Sequence, residues 1–213
     1  GDRPEAPSDP AVRYFVMGDN RWKTASAWPP PARSRVYYLS PPPGAAPRLG
    51  TLTSEPPTDA GTPSVFIADP DAPVTNPYDA AGAHDYRRLT DRSDVLTFDS
   101  PPLDRDTEVT GPILARIYVS CDCRDTDLWV RLLDVAPDGT AYNLMSPGLD
   151  VVRASYRDLK RGRQLLEPGQ VYELRLDHLV TSNLFKRGHR VRAQVSASFF
   201  PNFSRNLHTG DLE

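Results

Sequence analysis

Histidines are the side chains of this sequence best suited to acid–base or nucleophilic chemistry, and the chain has four: His84, His178, His189 and His208. A catalytic triad requires a histidine that is oriented by a carboxylate and that faces a serine or a cysteine. His178 directly follows Asp177, but neighbouring residues of a strand point to opposite faces. His189 lies in a basic turn, and His84 lies in the polar stretch 76–86, where we expect a loop tip. We interpret all four as structural or surface residues without a carboxylate partner.

A serine nucleophile of the α/β-hydrolase type is also missing from the sequence. Such a serine sits in a Gly-x-Ser-x-Gly motif, because only glycine tolerates the crowded turn around the nucleophile. The motif does not occur, and neither does the alternation of strands and helices that builds the α/β-hydrolase fold. The sequence therefore predicts that this chain carries no catalytic residue of its own.

Cysteines and closely spaced carboxylates do not predict a metal site. Cys121 and Cys123 are two residues apart, which on a strand separates their Cα atoms by about 7 Å, too far for an unstrained disulfide. No second Cys or His pair lies at zinc spacing, so two reduced thiols are expected. The stretches 125–127 and 69–71 each contain two Asp, but they lack the regular spacing of a calcium loop and are interpreted as turn caps. We expect no metal and no other cofactor.

Aromatic residues in the first part of the chain offer a different kind of site. Trp22, Trp28, Tyr37 and Tyr38 could stack against a sugar, although packing in a core or interface is the more common use of such side chains. A module that binds carbohydrate or another ligand therefore stays open as an alternative. A free-standing hydrolase with an unfamiliar site is a third hypothesis, and it requires a Ser or Cys beside one of the histidines.

Length and composition favour one folded domain and argue against two classes of partner. The chain has 213 residues, 38% of them hydrophobic, with 23 prolines against 13 glycines, so long extended connections are expected. Its net charge is −3 and it has no block of Lys or Arg, so it lacks the basic surface that binds nucleic acid. It has no run of 18 apolar residues, so no membrane partner is expected.

The ends of the chain look like cuts within a longer polypeptide. Residues 1–11 lack the apolar segment of a signal peptide and are interpreted as a linker or as a remnant of preparation. Residues 212–213 are interpreted as a tag remnant, which leaves a single domain over 12–211. The compartment is not encoded in this stretch, and the cytoplasm is the default expectation for the parent protein.

Short apolar runs with alternating polarity predict an all-β fold of eight or more strands. The runs cover 13–18, 36–39, 64–68, 113–120, 128–135, 140–145, 171–177 and 190–198. Pro137-Asp138-Gly139 predicts a hairpin between the fifth and sixth runs, and a second hairpin is considered for the last two. The final run is apolar on one face and polar on the other, as in a sandwich. We expect a jelly-roll-like β-sandwich with long Pro-rich loops and little helix, limited to a turn or two near 156–161.

Ordered blocks of sequence extend over nearly the whole chain. The first is Val12-Arg13-Tyr14-Phe15-Val16-Met17-Gly18, followed by Trp22 and Trp28-Pro29. Further blocks are 91–96, 108–112, 125–127, 133–139, 153–157 and 181–206, with Thr209-Gly210 at the end. Together, and in this order, they resemble the C-terminal domain of X-Pro dipeptidyl-peptidases and cocaine-esterase-like hydrolases.

The resemblance implies a non-catalytic jelly roll, similar to galactose-binding domains, at the C-terminus of a serine hydrolase. In that family the Ser-His-Asp triad lies in a separate α/β-hydrolase domain, and the parent protein cleaves esters, amides or X-Pro peptides. It implies that this chain packs on the catalytic domain and stabilises it or shapes its cleft, with a homo-oligomer as a second candidate partner. An apolar contact patch is expected, and the candidate contacts are Trp22, Trp28, Tyr78, His84 and Tyr86.

Overall fold

The computed structural model describes residues 10–41, 49–58, 62–144 and 148–211. Positions 1–9 of the predicted linker, Met145 of a predicted strand and the predicted remnant 212–213 lie outside these residues. Within them the chain forms eleven β-strands and two short 3-10 turns, Arg87–Asp91 and Ala154–Tyr156. The strands are β1 (Val12–Val16), β2 (Arg21–Ala25), β3 (Tyr38–Ser40), β4 (Leu49–Thr53), β5 (Leu96–Asp99), β6 (Thr107–Val119), β7 (Asp127–Val135), β8 (Ala141–Asn143), β9 (Leu149–Arg153), β10 (Tyr172–Phe185) and β11 (Arg190–Ser196).

The strands form a β-sandwich of two unequal sheets. One sheet has seven strands in the order β3-β4-β5-β11-β7-β8, and β9 also pairs with β7. In it only β4 and β5 run parallel. The long strands β6 and β10 form a separate antiparallel pair that packs across the first sheet. A further antiparallel pair, β1 and β2, stands apart as a hairpin. The all-β, double-layered fold expected from the sequence is confirmed.

Alternation along the strands builds the main core between the two sheets. Leu174 and Leu176 of β10 belong to the same buried cluster as Val130 of β7 and Val195 of β11. Residues two apart on a strand share a face, so each strand contributes every second side chain to this layer. The apolar residues of the predicted alternating pattern are therefore the ones that pack between the two sheets.

A second core covers the outer face of the seven-stranded sheet. Trp129 and Leu133 of β7 lie there, under Val74 and Tyr86 from the connection before β5 and under Phe199 from the segment after β11. Because β7 is buried on both faces, apolar residues occupy consecutive positions in it, such as Leu128, Trp129 and Val130, as in sheets covered on both sides. Two long loops thus act as a third layer over the sandwich.

The polar face predicted for the last strand is also buried, because the same loops cover it. Gln194 of β11 is 0% exposed, and Ser196 donates a hydrogen bond to the carbonyl of Asp94 at 2.5 Å. Ser198, on the same face, accepts a hydrogen bond from the Val74 amide at 2.9 Å, so both serines satisfy main-chain groups of the covering loop. Their polarity does not mark a solvent-exposed surface.

The structure confirms one predicted hairpin and corrects two other expectations. Pro137-Asp138-Gly139 joins β7 to β8, with the Ala136 amide donating to the Thr140 carbonyl at 2.8 Å. The second hairpin is wrong, because β10 pairs with β6 whereas β11 pairs with β5 and β7 in the other sheet. The run 64–68 is not a strand either. It pairs with no strand among the described residues, and Ile67 is exposed to solvent.

Candidate functional site

Two of the four histidines lie against carboxylates. His189 Nδ1 lies 2.7 Å from Asp134 Oδ1, and Asn183 donates to the other carboxylate oxygen of Asp134 at 3.3 Å. Asp150 accepts a hydrogen bond from the main-chain amide of His178 at 2.7 Å and lies 3.2 Å from its Nδ1. The interpretation of these histidines as lacking a carboxylate partner is therefore wrong. The partners come from distant strands that only the fold brings together.

The neighbouring side chains of Asp177 and His178 also lie closer than expected. Asp177 Oδ1 is 3.7 Å from His178 Nδ1. The register of β10 against β6 shifts between Leu176 and Leu179, and such a bulge interrupts the alternation of side chains along a strand. The expectation that the two residues point to opposite faces is corrected for this reason.

The histidine–carboxylate pairs have no nucleophile to activate within the described part of the chain. There, no hydrogen bond joins a histidine to a serine or cysteine. His84 Nε2 lies 2.7 Å from the Ala80 carbonyl, and His208 Nδ1 lies 3.1 Å from the Asp125 carbonyl. A triad needs the nucleophile within hydrogen-bond reach of the base, so each pair can orient an imidazole but does not complete a triad.

Of the carboxylates considered for calcium, those of Asp125 and Asp127 are engaged in the fold, whereas the side chain of Asp71 is 98% exposed. Asp125 accepts hydrogen bonds from the Ser155 amide at 3.0 Å and from the Ser155 hydroxyl at 2.7 Å. Asp127 accepts from Arg153 and from Asn206, each at 2.9 Å. These bonds tie the start of β7 to the end of β9 and to the C-terminal segment. Within the described ranges, no three His, Cys, Asp or Glu side chains form a metal-binding group.

The two cysteines are not on a strand, so the geometric premise used for them is wrong. β6 ends at Val119, and the chain bends through 122–124 before β7 begins at Asp127. The bend brings the two sulfur atoms to 2.6 Å, with the Cys123 thiol donating to Cys121 Sγ. Both cysteines are free thiols and both are half-buried.

Tyr86, one of the five candidate contacts, is 2% exposed and belongs to the second core. Its ring lies 4.1 Å from the guanidinium carbon of Arg131, which is also within 4.5 Å of the Phe199 ring and 5.5 Å of the Trp129 ring. Tyr86 therefore cannot meet another domain, and its assignment as a contact is corrected. Its polar neighbours in sequence suggested a surface position. The residue is buried because the loop that carries it folds onto a sheet.

Arg131 is the unusual group of this second core. Its side chain is fully buried, and none of its guanidinium nitrogens has a hydrogen-bond partner among the described residues. Burial lowers the pKa of Arg131 to about 10. Gln194, directly opposite on β11, likewise has a buried side-chain oxygen without a partner. Sequence reasoning missed this group, although a lone arginine inside the apolar run 128–133 was a usable signal.

Tyr78 and His84 stack on each other in the loop that also carries Tyr86. Their ring centroids are 4.2 Å apart with an interplanar angle of 9°, and the Tyr78 hydroxyl donates to the Asp85 carbonyl at 2.6 Å. Both side chains are half-buried. The stack stabilises the loop and leaves one side of the pair open to solvent.

The two candidate tryptophans lie at the β1–β2 hairpin. Trp22 of β2 stands directly opposite Phe15 of β1, and their rings meet edge to face at 5.5 Å. Trp22 is 66% exposed, and the guanidinium carbon of Arg13 lies 5.9 Å from its ring. We call Arg13, Phe15 and Trp22 the aromatic hairpin face. Trp28 is 43% exposed and packs edge-on against Tyr14, so it does not belong to this face.

The hairpin is attached to the sandwich at its turn. The Met17 amide donates to the Ser182 carbonyl at 2.9 Å, and the Leu184 amide donates to the Met17 carbonyl at 2.8 Å. Lys23 forms an ion pair with Glu108 of β6. The hairpin therefore projects from β10, with the aromatic hairpin face directed to solvent.

Two open cavities in the described residues have mixed polar and apolar linings. One of about 350 Å³ includes Asp99, Arg190 and Arg192 in its lining, and one of about 500 Å³ includes Ile67 and the segment 91–94. Arg192 in the first is neutralised by Asp99, at 2.6 and 2.7 Å. Neither lining includes a histidine. Among the described helices, none is long and apolar enough to span a membrane.

Comparisons with known proteins agree on one family. The family model for the X-Pro dipeptidyl-peptidase C-terminal non-catalytic domain matches residues 5–213. A cocaine esterase of Rhodococcus sp. (strain MB1 Bresler) is 36% identical over 221 residues, which cover 95% of this chain and 36% of the esterase. The chain thus spans about a third of the length of this relative.

Solved structures give the same result for the fold. An aminopeptidase of a marine sediment Thaumarchaeota archaeon matches with a TM-score of 0.80 and 28% identity, over 95% of this chain and 35% of its own. An α-amino acid ester hydrolase matches with a TM-score of 0.79 and 27% identity, over 97% of this chain and 37% of its own. In both, the similar part is about a third of a larger protein.

Proposed function

Because the chain belongs to the family of X-Pro dipeptidyl-peptidase C-terminal non-catalytic domains, we propose that it forms the C-terminal β-sandwich of a serine hydrolase that cleaves esters or amides. In this proposal the triad lies in an α/β-hydrolase domain of the same polypeptide, against which this chain packs. The names of the cocaine esterase and of the α-amino acid ester hydrolase support an ester as the substrate class. This chain contributes stability and shape, and the catalytic groups come from the other domain.

The observation that carries the docking part of the proposal is the aromatic hairpin face. Large aromatic side chains and arginine are enriched at the centres of protein interfaces, where their burial contributes most of the binding free energy. Here Trp22 contacts both Phe15 and Arg13, and all three side chains are open to solvent. The hairpin is the first element of a domain that the family places at a C-terminus, so it lies next to the catalytic domain along the chain.

Further contacts to the catalytic domain are proposed at two other places. Trp28 packs on Tyr14 at the opposite side of the hairpin and remains 43% exposed. The Tyr78–His84 stack presents a half-buried aromatic surface on the loop over the second core. Inter-domain interfaces bury about 600–1,500 Å² in total, which is more area than the aromatic hairpin face alone provides.

A comparison of the isolated chain with its parent protein tests whether the catalytic groups lie in the other domain. A chromogenic acyl ester is offered to each, with the hydrolysis rate followed by absorbance. The parent protein is expected to turn over the ester, and the isolated chain is expected to give the rate of buffer alone. Turnover that follows the isolated chain through purification would show that one of its histidine–carboxylate pairs works with a nucleophile of its own.

A further inference from the structure

The bend between β6 and β7 holds two thiols in direct contact. Cys121 donates to the carbonyl of Cys123 at 3.1 Å, and the Cys123 thiol donates to Cys121 Sγ at 2.6 Å. Unbonded sulfur atoms do not ordinarily approach so closely. The proposed hydrolase function makes no use of this pair.

Hydrogen bonds from a distant segment of the chain fix the bend. The Gly169 amide donates to the Cys121 carbonyl at 2.7 Å, and the Leu166 amide donates to the Arg124 carbonyl at 2.8 Å. On the other side, Ser155 holds the carboxylate of Asp125. Three hydrogen-bonded anchors from the segment 155–169 therefore set the relative position of the two sulfurs.

We propose that Cys121 and Cys123 form a reversible oxidative-modification site, at which a small-molecule disulfide converts the two thiols into a Cys121–Cys123 disulfide. Both side chains are half-buried, so a small oxidant can reach them. A metal ion is the less suitable occupant, since no third His, Cys, Asp or Glu joins the pair in a metal-binding group in the described ranges.

The exchange balances in two steps. In the first, the Cys121 thiolate attacks one sulfur of the oxidant, the oxidant's S–S bond breaks, and one small thiolate leaves. In the second, Cys123 loses its proton to water and attacks Cys121 Sγ, and the second small thiolate leaves. The two cysteines are oxidised, the oxidant is reduced to two thiols, and the two protons end on those thiols.

The order of attack follows from the environment of the two sulfurs. Burial, the hydrogen bond to Cys121 and the charge of Cys121 together raise the pKa of the Cys123 thiol to about 12. Cys123 therefore stays protonated at neutral pH and donates its hydrogen bond to Cys121 Sγ. Once Cys121 is in a mixed disulfide, the contributions of Cys121 to this pKa disappear, and the contact between the sulfurs makes the second step fast.

Reversibility follows from the size of the ring. A disulfide that closes a loop of so few residues removes little entropy from the unfolded chain, so it is only weakly stabilised. Exposed disulfides with little stabilisation are the ones that thiols reduce readily. We therefore expect reduced glutathione to restore both thiols.

The test uses the parent protein and one proteolytic peptide. Trypsin cleaves after Arg116 and Arg124, so peptide 117–124 contains both cysteines. The folded protein is equilibrated with oxidised glutathione, free thiols are alkylated, and the peptide is weighed by mass spectrometry. The expected product carries no alkyl group and is two hydrogen atoms lighter than the dithiol. Two alkyl groups, or a retained glutathione, would overturn the proposal.

Single variants and the unfolded protein serve as controls. Cys123→Ser should accumulate glutathione on Cys121, whereas Cys121→Ser should leave Cys123 mostly unmodified. For the unsubstituted protein, the ratio of disulfide to dithiol at a fixed glutathione poise should be at least about tenfold higher folded than in urea, because the fold holds the sulfurs together. Equal ratios would contradict the proposal even if a serine variant failed to fold.

Discussion

Arg131 shows how a single buried charge can be accommodated without a counter-ion among the residues that the structure describes. Taking a guanidinium out of water costs several kcal/mol, and a carboxylate partner is the usual compensation. Here the rings of Tyr86, Phe199 and Trp129 surround it instead. Desolvated cation–π contacts contribute about 2 kcal/mol each, so three of them can offset most of the desolvation cost.

A double-mutant cycle measures this compensation. We expect Tyr86→Leu to lower the free energy of unfolding by about 3 kcal/mol, because it removes ring packing and leaves the charge of Arg131 less well covered. In an Arg131→Met background the same substitution should cost roughly half as much, since no charge remains. Urea unfolding of the four proteins gives the values. Equal costs in both backgrounds would mean that the rings act on Arg131 only as apolar surface.

Asp85 is a second residue whose charge is used inside the domain. Partial burial alone would raise its pKa, but the amides of Ala141 and Arg87 and the Arg87 side chain outweigh it and hold the pKa of Asp85 below its ordinary value. A depressed carboxyl pKa adds stability above the unfolded value, about pH 4, and this stability is lost as the pH falls through the lower folded value.

Asp85→Asn should therefore destabilise the domain most at neutral pH. We expect a loss of about 1–2 kcal/mol at pH 7, because the amide cannot accept the same charge-assisted hydrogen bonds. The difference from the unsubstituted protein should shrink as the pH falls below about 4, where Asp85 becomes protonated. Thermal melts across this range provide the measurement. A difference that stays constant with pH would show that the carboxylate charge is not what ties the loop down.

At the scale of elements, the sequence predicts local geometry better than strand partners. The turn at Pro137-Asp138-Gly139 needed only its own residues, and β7–β8 follows from it. The alternation of β11 gives its apolar face, but not the neighbours β5 and β7, which lie far away in sequence. Pro112 was taken as the boundary of a strand, whereas β6 continues through it, because its amide side meets no further strand among the described residues.

The candidate contacts differ in exposure for the same reason. Trp22 is exposed, as a contact residue must be, but Tyr86 is in a core that exists only because two loops fold back over a sheet. No short stretch of sequence predicts such a third layer. The histidine–carboxylate pairs were missed in the same way, since Asp134 and His189 are 55 residues apart.

The attachment of the β1–β2 hairpin depends on Gly18. Its φ is +79°, and a Cβ at this position would lie 2.4 Å from the Leu184 carbonyl oxygen. That carbonyl belongs to the residue whose amide binds Met17. Gly18→Ala should therefore displace the whole hairpin, in addition to the cost of about 1 kcal/mol for a left-handed alanine.

Gly162→Ala is the matched control, because Gly162 has a φ of +70° and open space where a Cβ would lie. We expect Gly162→Ala to cost about 1 kcal/mol and Gly18→Ala at least about 2 kcal/mol more. Calorimetry gives both values, and hydrogen exchange of the Met17 and Leu184 amides, which attach the hairpin to β10, should become faster only for Gly18→Ala. Equal behaviour of the two variants would show that the hairpin tolerates a shift at its turn.

At the scale of the whole molecule, the aromatic hairpin face predicts how the parent protein unfolds. If the face is buried against the catalytic domain, the two domains stabilise each other and unfold together. Replacing Phe15 and Trp22 by alanine removes the aromatic anchors without touching either core of the sandwich. Interface anchors of this kind typically contribute about 2–4 kcal/mol each.

The Phe15→Ala/Trp22→Ala parent protein should therefore unfold in two separate calorimetric transitions, with the catalytic domain at the lower temperature, and should lose ester hydrolysis earlier on heating. Leu159→Ala, at a residue that is 80% exposed and distant from the hairpin in sequence, is the control and should leave the transition unchanged. A single unchanged transition for the double variant would remove the hairpin from the inter-domain contact.

The lengths of the border strands have a consequence for solubility. One border of the seven-stranded sheet is β3, with three residues, and the other is divided between the three residues of β8 and the five of β9, which share the side of β7. An exposed border strand can recruit a foreign chain through its free amides and carbonyls, and short or interrupted borders limit this recruitment. The seven-stranded sheet thus offers no long border on which a fibril could begin, whereas the two-stranded sheet of β6 and β10 has border strands of 13 and 14 residues, so edge-to-edge pairing is expected at β6 or β10 first.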